Sequence, residues 1–182
     1  EDILDLNVEE IIKEETIIFG NLPYNISSQI LVKFLKFNVW PPKFNDLILM
    51  FQKELADKIT GEYLSANYGR ISIISSYRLK VIKKFNVSAS CFIPRPKITS
   101  TLLHFRPIKK DEFKIKNIDN LEKVTNTLFS ERRKMINKNI KKILNKKEID
   151  QINGLTLNLR PSELNPDIYY KITEFFEKKN LD

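Results

Sequence analysis

A chain of 182 residues, 42% hydrophobic and 30% charged, carries enough apolar material for one good core, or for one domain with a smaller appendage, and is not the composition of a disordered polypeptide. No window approaches the ~20 uncharged apolar residues of a membrane span and no basic-then-apolar leader opens it, so the expectation is no membrane segment and a cytoplasmic location. A net charge of +8 points to a polyanionic partner, while a single cysteine, Cys91, and a single histidine, His104, exclude an internal disulfide, a multi-cysteine zinc cluster and Ser-His-Asp chemistry.

The chain opens on Glu1-Asp2-Ile3-Leu4 without an initiator methionine, as a fragment or processed product would. Thr16-Ile17-Ile18-Phe19 is a short apolar run ending at Gly20-Asn21, which predicts a buried parallel strand with a loop at its carboxyl edge, where chemistry tends to sit. Ser27 or Ser28 is expected to cap a helix through Phe37, with Ile30, Leu31, Phe34 and Leu35 at helical spacing before Pro41-Pro42. Asp46 to Phe51 reads as the next buried strand, Gln52 to Thr60 as a short helix, Gly61 to Tyr68 as a loop and Gly69 to Arg78 as a helix. Strands are expected at Val81–Val87 and Ile98–Phe105, separated by the proline-stiffened Phe92-Ile93-Pro94-Arg95-Pro96-Lys97. Along these strands His104 reads as a surface residue, Cys91 as a small buried side chain and Trp40 as the cover of a helix end. Alternating strands and helices closed by a strand pair imply an α/β domain with a mixed edge.

From Lys109 the composition shifts to Lys, Asn and Asp, with Leu121, Val124 and Leu128 and then Ile136, Ile140, Ile143 and Leu144 at helical intervals. A helical appendage is expected there, punctuated by Gly154, Pro161 and Pro166 and ending in a helix from about Asp167 to Lys179. Between Phe129 and Lys147 the cations Arg132, Arg133, Lys134, Lys138, Lys141, Lys142, Lys146 and Lys147 stand against Glu131 alone, so most of the excess charge sits in one segment. On a helix, Lys134, Lys138, Lys141 and Lys142 fall opposite the apolar stripe. Such a face either is merely solvated or meets phosphates, and the shared segment favours phosphates.

Asn21-Leu22-Pro23-Tyr24 has the residues that an amine nucleophile on a planar base requires. The exocyclic amine of adenine is weakly nucleophilic because its lone pair is delocalised into the ring. Two acceptors, the Asn21 side-chain oxygen and the Leu22 carbonyl, would bond its protons and favour a pyramidal nitrogen. Pro23 fixes φ, and Tyr24 offers a ring for stacking. Phe92 would close on the other face of a flipped base. Alone, the first segment also reads as an ordinary strand-ending turn, and Phe92 as a core residue before a proline turn.

Asn21-Leu22-Pro23-Tyr24-Asn25-Ile26-Ser27, Gln52-Lys53-Glu54, Tyr68-Gly69-Arg70 and Phe92-Ile93-Pro94-Arg95-Pro96-Lys97 resemble, in order and spacing, the signature segments of the KsgA family of small-subunit ribosomal RNA adenine dimethyltransferases. Leu128-Phe129-Ser130-Glu131-Arg132-Arg133-Lys134 is similar to that family's Phe-x-x-Arg-Arg-Lys helix, and Leu159-Arg160-Pro161-Ser162-Glu163-Leu164 to its Arg-x-x-x-Leu stretch. The resemblance covers nearly the whole chain. It implies the second half of a class I, Rossmann-like methyltransferase domain over residues 1–109, followed by a small all-α RNA-binding domain over 110–182. It further implies methyl transfer from S-adenosylmethionine to two adjacent adenosines near the 3′ end of small-subunit rRNA, in a partly assembled subunit, by a monomer. Asn21, Leu22, Pro23, Tyr24 and Phe92 are then the catalytic pocket, Asp2 and Asn21 the cofactor contacts, and Arg95, Lys97, Arg132, Arg133, Lys134, Lys138 and Lys141 the RNA contacts, with no metal. The family's glycine-rich cofactor loop and its acidic ribose ligand have no counterpart here, so the chain by itself is expected to be inactive. Two alternatives share parts of this pattern: the antibiotic-resistance methyltransferases of large-subunit rRNA, whose motif usually has Ile where Leu22 stands, and a non-catalytic rRNA-binding assembly factor.

Overall fold

The computed structural model describes residues 2–95, 97–109 and 114–179; Pro96 of the proline-stiffened loop lies outside them. In chain order these residues form helix α1 (Val8–Ile11), strand β1 (Thr16–Asn21), α2 (Ser27–Leu35), β2 (Phe44–Gln52), α3 (Lys53–Ile59), α4 (Arg70–Arg78), β3 (Leu79–Val87), β4 (Ser100–Pro107), α5 (Ile118–Phe129), α6 (Asn137–Ile140), α7 (Lys146–Asp150) and α8 (Pro166–Lys179). They gather into two compact units, Glu1–Thr60 with Ser75–Lys110 and Gly61–Ile74 with Asp111–Asp182.

In the first unit four strands form one sheet in the order β1-β2-β4-β3. β1 and β2 are parallel, with Phe19 opposite Ile48 and Asn21 opposite Met50; such a pair needs a crossover, which α2 supplies. β4 is antiparallel to both neighbours, placing Ser100 opposite Gln52 on one side and Val87 on the other. The carboxyl ends of β1, β2 and β3 therefore lie along one end of the sheet, together with the amino end of β4. Leu47, Leu49, Phe51, Leu103 and Phe105 are fully buried, as are Ile30, Leu31, Leu35 and Ala56 of the helices. Each large apolar side chain contributes about 1.5–3 kcal/mol by leaving water. Phe34, Phe37 and Phe44 add a ring cluster with centroids 5.7–6.0 Å apart.

The ends of α2 differ from the sequence expectation. Its N-cap is Ile26, with no side-chain cap bond; the Ser27 hydroxyl donates instead to the Tyr24 carbonyl at 3.0 Å, a local bond that competes with capping. The helix stops at Leu35 rather than Phe37, because Phe37 is drawn into the ring cluster and Arg78 takes over the helix end. Arg78, 6% exposed, donates Nη1 to the carbonyls of Leu35 (2.5 Å) and Phe37 (2.8 Å), groups that a helix terminus otherwise leaves unpaired. Its guanidinium lies 4.6 Å from the centroid of the Trp40 ring, and Trp40 Nε1 donates to the Ile108 carbonyl at 2.9 Å.

Three further expectations are corrected. The first strand is not buried as its apolar run predicts, because the face of β1 that carries Ile17 and Phe19 is uncovered, leaving them 52% and 73% exposed. His104 is half-buried and bonded, since its Nε2 faces Asp46 Oδ1 at 2.5 Å; a carboxylate only accepts, so the imidazole donates. Cys91 is exposed, because Ala89–Cys91 is a 3₁₀ turn in a polar stretch beyond the sheet.

In the second unit Leu121, Val124 and Leu128 of α5 are fully buried, as their spacing predicts, and so are Tyr169, Ile172 and Thr173 of α8. The rings of Phe129 and Tyr169 stack at 5.9 Å. The start of α5 is held twice: Asn117 Oδ1 accepts from the Asp119 amide at 2.8 Å, and the buried Glu177 carboxylate accepts from the Lys116 and Asn117 amides and from Asn120 Nδ2 at 2.8–2.9 Å. Tyrosine hydroxyls then staple distant segments. Tyr68 donates to the Leu164 carbonyl at 2.8 Å, Tyr169 to Pro161 at 2.6 Å, Tyr170 to Ile73 at 3.1 Å and Tyr63 to Glu163 at 2.9 Å. Burial pushes the Tyr68 and Tyr169 hydroxyls far above their ordinary value, so both remain donors.

Candidate functional site

β1 ends on Gly20 and Asn21. A Cβ at Gly20 would stand 2.8 Å from Cδ2 of both Leu22 and Leu49, so glycine lets the chain turn tightly against its neighbour strand. Asn21 emerges exposed, Leu22 is buried, Pro23 is exposed and Tyr24 half-buried. The Pro23 carbonyl accepts from the Ile26 amide at 3.2 Å and Tyr24 Oη lies 2.6 Å from Ser100 Oγ. Ser100, itself fully buried, begins β4. One hydroxyl pair thus connects the Asn-Leu-Pro-Tyr turn to the strand that follows the Phe92 loop.

The segment after β2 is tied to the same place. The Lys53 amide donates to the Thr99 carbonyl at 3.0 Å, and the Lys53 ammonium pairs with Asp57 at 2.5 Å. Asp57 also receives Lys84 of β3 at 2.8 Å; these two cations, Lys53 foremost, hold its carboxyl below the usual range. The Gln52-Lys53-Glu54 motif is therefore a brace between strand ends. Phe92 follows the 3₁₀ turn, its amide donating to the Ala89 carbonyl at 3.3 Å. It is half-buried, while Ile93, Pro94, Arg95 and Lys97 are exposed. Three motifs that lie 31 to 71 residues apart in sequence accordingly meet at one end of the sheet, and neither aromatic ring of the expected pocket is sunk in the core.

The Asp2 carboxylate accepts from the Leu4 amide at 2.9 Å, and its main-chain oxygen accepts from Asp5 and Leu6, so the residue closes a turn of its own. Holding a nucleoside sulfonium takes a glycine-rich turn beneath the donor and a carboxylate for the ribose hydroxyls. The glycines are Gly20, Gly61, Gly69 and Gly154, and no two share a turn. The residues present fit the methyl-acceptor side of the chemistry, through Asn21, and do not fit the cofactor's nucleoside.

In the second unit Arg132, Arg133 and Lys134 follow α5 in a turn rather than on the expected helix. The Ser130 hydroxyl bonds back to the Thr127 carbonyl at 2.8 Å, and the Ile136 amide is taken by Leu159 at 3.0 Å, which directs the chain away from the helix axis. α6 then spans only Asn137–Ile140. The division of faces nevertheless agrees with the spacing: Ile136, Ile140, Ile143 and Leu144 are buried, and Lys134, Lys138, Lys141 and Lys142 are exposed. Lys134 pairs with Glu131 at 3.1 Å. Arg132 Nη2 reaches the carbonyls of Tyr68 (3.3 Å) and Ala66 (3.5 Å), a bond that charge patterning alone does not reveal. Ser100 and the tyrosine staples were equally unforeseen. Only a polar residue at the start of a strand, and hydroxyls at otherwise apolar helical positions, signal them.

Among the described residues no helix is long and apolar enough to cross a membrane. The model of the "Ribosomal RNA adenine dimethylase" family matches residues 1–178. The chain is 46% identical to ribosomal RNA small subunit methyltransferase A of Pelagibacter ubique, over 97% of this chain and 68% of that protein. It is 32% identical to the protein of that name from Zymomonas mobilis, over 97% of this chain and 63% of that one. It thus spans about two thirds of the length of these relatives. Among solved structures it superposes on a dimethyladenosine transferase from Plasmodium falciparum with a TM-score of 0.80 at 24% identity, covering 99% of this chain and 72% of that one. On the 23S rRNA methyltransferase ErmE the TM-score is 0.66 at 18% identity, covering 97% and 70%; these two likenesses establish a shared α/β fold. A family match over nearly every residue, joined to motifs that converge on one sheet end, places this chain in the ribosomal RNA adenine dimethylase family.

Proposed function

We propose that this chain forms the target-base pocket of a ribosomal RNA (adenine-N6,N6)-dimethyltransferase acting on two adjacent adenosines near the 3′ end of small-subunit rRNA. The observation that carries the reading is the 2.6 Å Tyr24–Ser100 pair, which holds the Asn21–Tyr24 turn against the strand that follows Phe92. The names of the Pelagibacter and Zymomonas relatives favour the small subunit over the large. Bound S-adenosylmethionine supplies the methyl group as an electrophile on a sulfonium centre. The chain's own residues manage the acceptor. Asn21 Oδ1 and the Leu22 carbonyl accept the adenine amine protons, which draws the lone pair out of conjugation and aims it. Tyr24 and Phe92 hold the two faces of the base, which has left its stack.

Arg95 and Lys97 beside the pocket, and Arg132, Arg133, Lys134, Lys138 and Lys141 in the second unit, supply cations for RNA phosphates. The substrate is a loop or a partly assembled subunit, since only there is an adenine free to flip. The enzyme works as a monomer in the cytoplasm. In the complete gene product, Asn21→Ala is expected to abolish methylation of small-subunit rRNA in a radiolabelled methyl-transfer assay while RNA binding stays nearly intact. Retained turnover would overturn the amine-holding role.

A further inference from the structure

The Gly61–Gly69 loop carries family-like residues at its end, yet the pocket does not use it. Its construction is tight. A Cβ at Gly61 would stand 2.6 Å from the Asn67 carbonyl carbon and oxygen, so the two ends of the loop touch main chain to main chain, and only glycine allows that approach. Within it the Ser65 amide donates to the Glu62 carbonyl at 3.0 Å and the Tyr68 amide to Ser65 at 3.1 Å. Tyr63 stands edge-on to the buried Tyr68 ring, centroids 5.8 Å apart, and donates its hydroxyl to Glu163. Arg132 holds the far side through Ala66 and Tyr68. A loop so braced presents two large apolar groups outward. Tyr63 is 40% exposed and Leu64 69%. Leu64 also has φ of +67°, a left-handed conformation unfavourable for a leucine, held on a side chain that stays mostly exposed.

We infer that this loop is a second RNA contact, in which Leu64 and Tyr63 lie against an unstacked base or ribose face of the rRNA while Arg133 and Lys134 hold the flanking phosphates. The occupant is argued from charge: Arg133 and Lys134 directly follow Arg132, which touches the loop, in the turn after α5, and that turn lies in the most basic stretch of the chain. An apolar contact flanked by cations suits single-stranded RNA, whose bases expose their faces. The inference rests on the rRNA reading above and extends it to the second unit. Arg132, besides supplying charge, is a positioning residue that holds the loop through the carbonyls of Ala66 and Tyr68.

The test is binding of the chain to an RNA hairpin with two adjacent unpaired adenines in its loop, measured over a salt series, for Leu64→Gly, Arg132→Ala and Arg133→Ala. Leu64→Gly removes the side chain and suits the positive φ, so thermal stability should hold or rise while affinity falls about fivefold or more with the salt slope unchanged. Arg133→Ala should flatten the slope. Arg132→Ala should weaken binding and open the amides of Gly61–Gly69 to hydrogen exchange, and Arg132→Lys should not restore it. Unchanged affinity of Leu64→Gly, with Arg133→Ala still flattening the slope, would overturn the loop contact and leave the rRNA reading standing. Failure of the unaltered chain to bind the hairpin would overturn both.

Discussion

Tyr24 Oη and Ser100 Oγ are 2.6 Å apart across 76 residues of chain. Their bond makes the turn after β1 and the start of β4 a single rigid corner, and the proposed pocket is built on that corner. Tyr24→Phe keeps the ring and removes the bond. Because Ser100 is fully buried, its hydroxyl is then left unpaired, at a cost of about 1–3 kcal/mol. A double-mutant cycle of Tyr24→Phe with Ser100→Ala, by urea denaturation, should return a coupling of about 0.5–1.5 kcal/mol. A coupling indistinguishable from zero would remove the corner from the account.

Arg78 is expected to be the most costly single residue of the first unit outside its apolar core. Arg78→Ala leaves the carbonyls of Leu35 and Phe37 without their donor and uncovers the Trp40 face, for an expected loss of about 2–4 kcal/mol. Arg78→Lys should recover little, because an ammonium does not reproduce a planar group that both donates to carbonyls and stacks. Trp40 is the chain's one tryptophan, so its fluorescence reports the site directly. An unshifted emission spectrum in Arg78→Ala would contradict the stacking.

Arg106, and after it His104, hold the Asp46 carboxyl below its ordinary value of 3.8. The sign follows from linkage: a folded-state value depressed below the unfolded one contributes stability that is present above the unfolded value and is lost as pH falls through the folded one. Stability should therefore be insensitive to this group near neutrality and decline below about pH 4. Asp46→Asn should remove part of that acid-side decline, measured by denaturant midpoints across pH. An identical acid profile in the variant would show that the carboxylate contributes nothing.

The exposed cations after α5 should act on RNA through charge number. Lys138→Ala and Lys141→Ala, each on an exposed side chain, should lower the slope of log affinity against log salt by about 0.7–0.9 per phosphate lost, without altering the unfolding midpoint. Slopes that do not move would reduce these lysines to a solvated face.

Elements and faces were legible in the chain because they depend on neighbours in sequence. The apolar run before Gly20 made a strand, though not the buried one it predicts, the spacing of Leu121, Val124 and Leu128 made a buried helix face, and the lysines opposite Ile136, Ile140 and Leu144 came out exposed even where the helix broke. The pocket motifs were recognisable as well, as residue types in order. Contacts between distant segments were not legible, because they depend on which strand ends the sheet topology brings together. Reversal of β4 sets Ser100 beside Gln52 and Val87, and from that follow the bond to Tyr24 and the brace at Lys53. The same reason explains groups whose partners the sequence does not show: Arg132 bonds to main-chain carbonyls, His104 to Asp46 and Arg78 to the end of α2. A charged side chain shows its sign in the sequence, but its partner is chosen only when the fold decides what surrounds it.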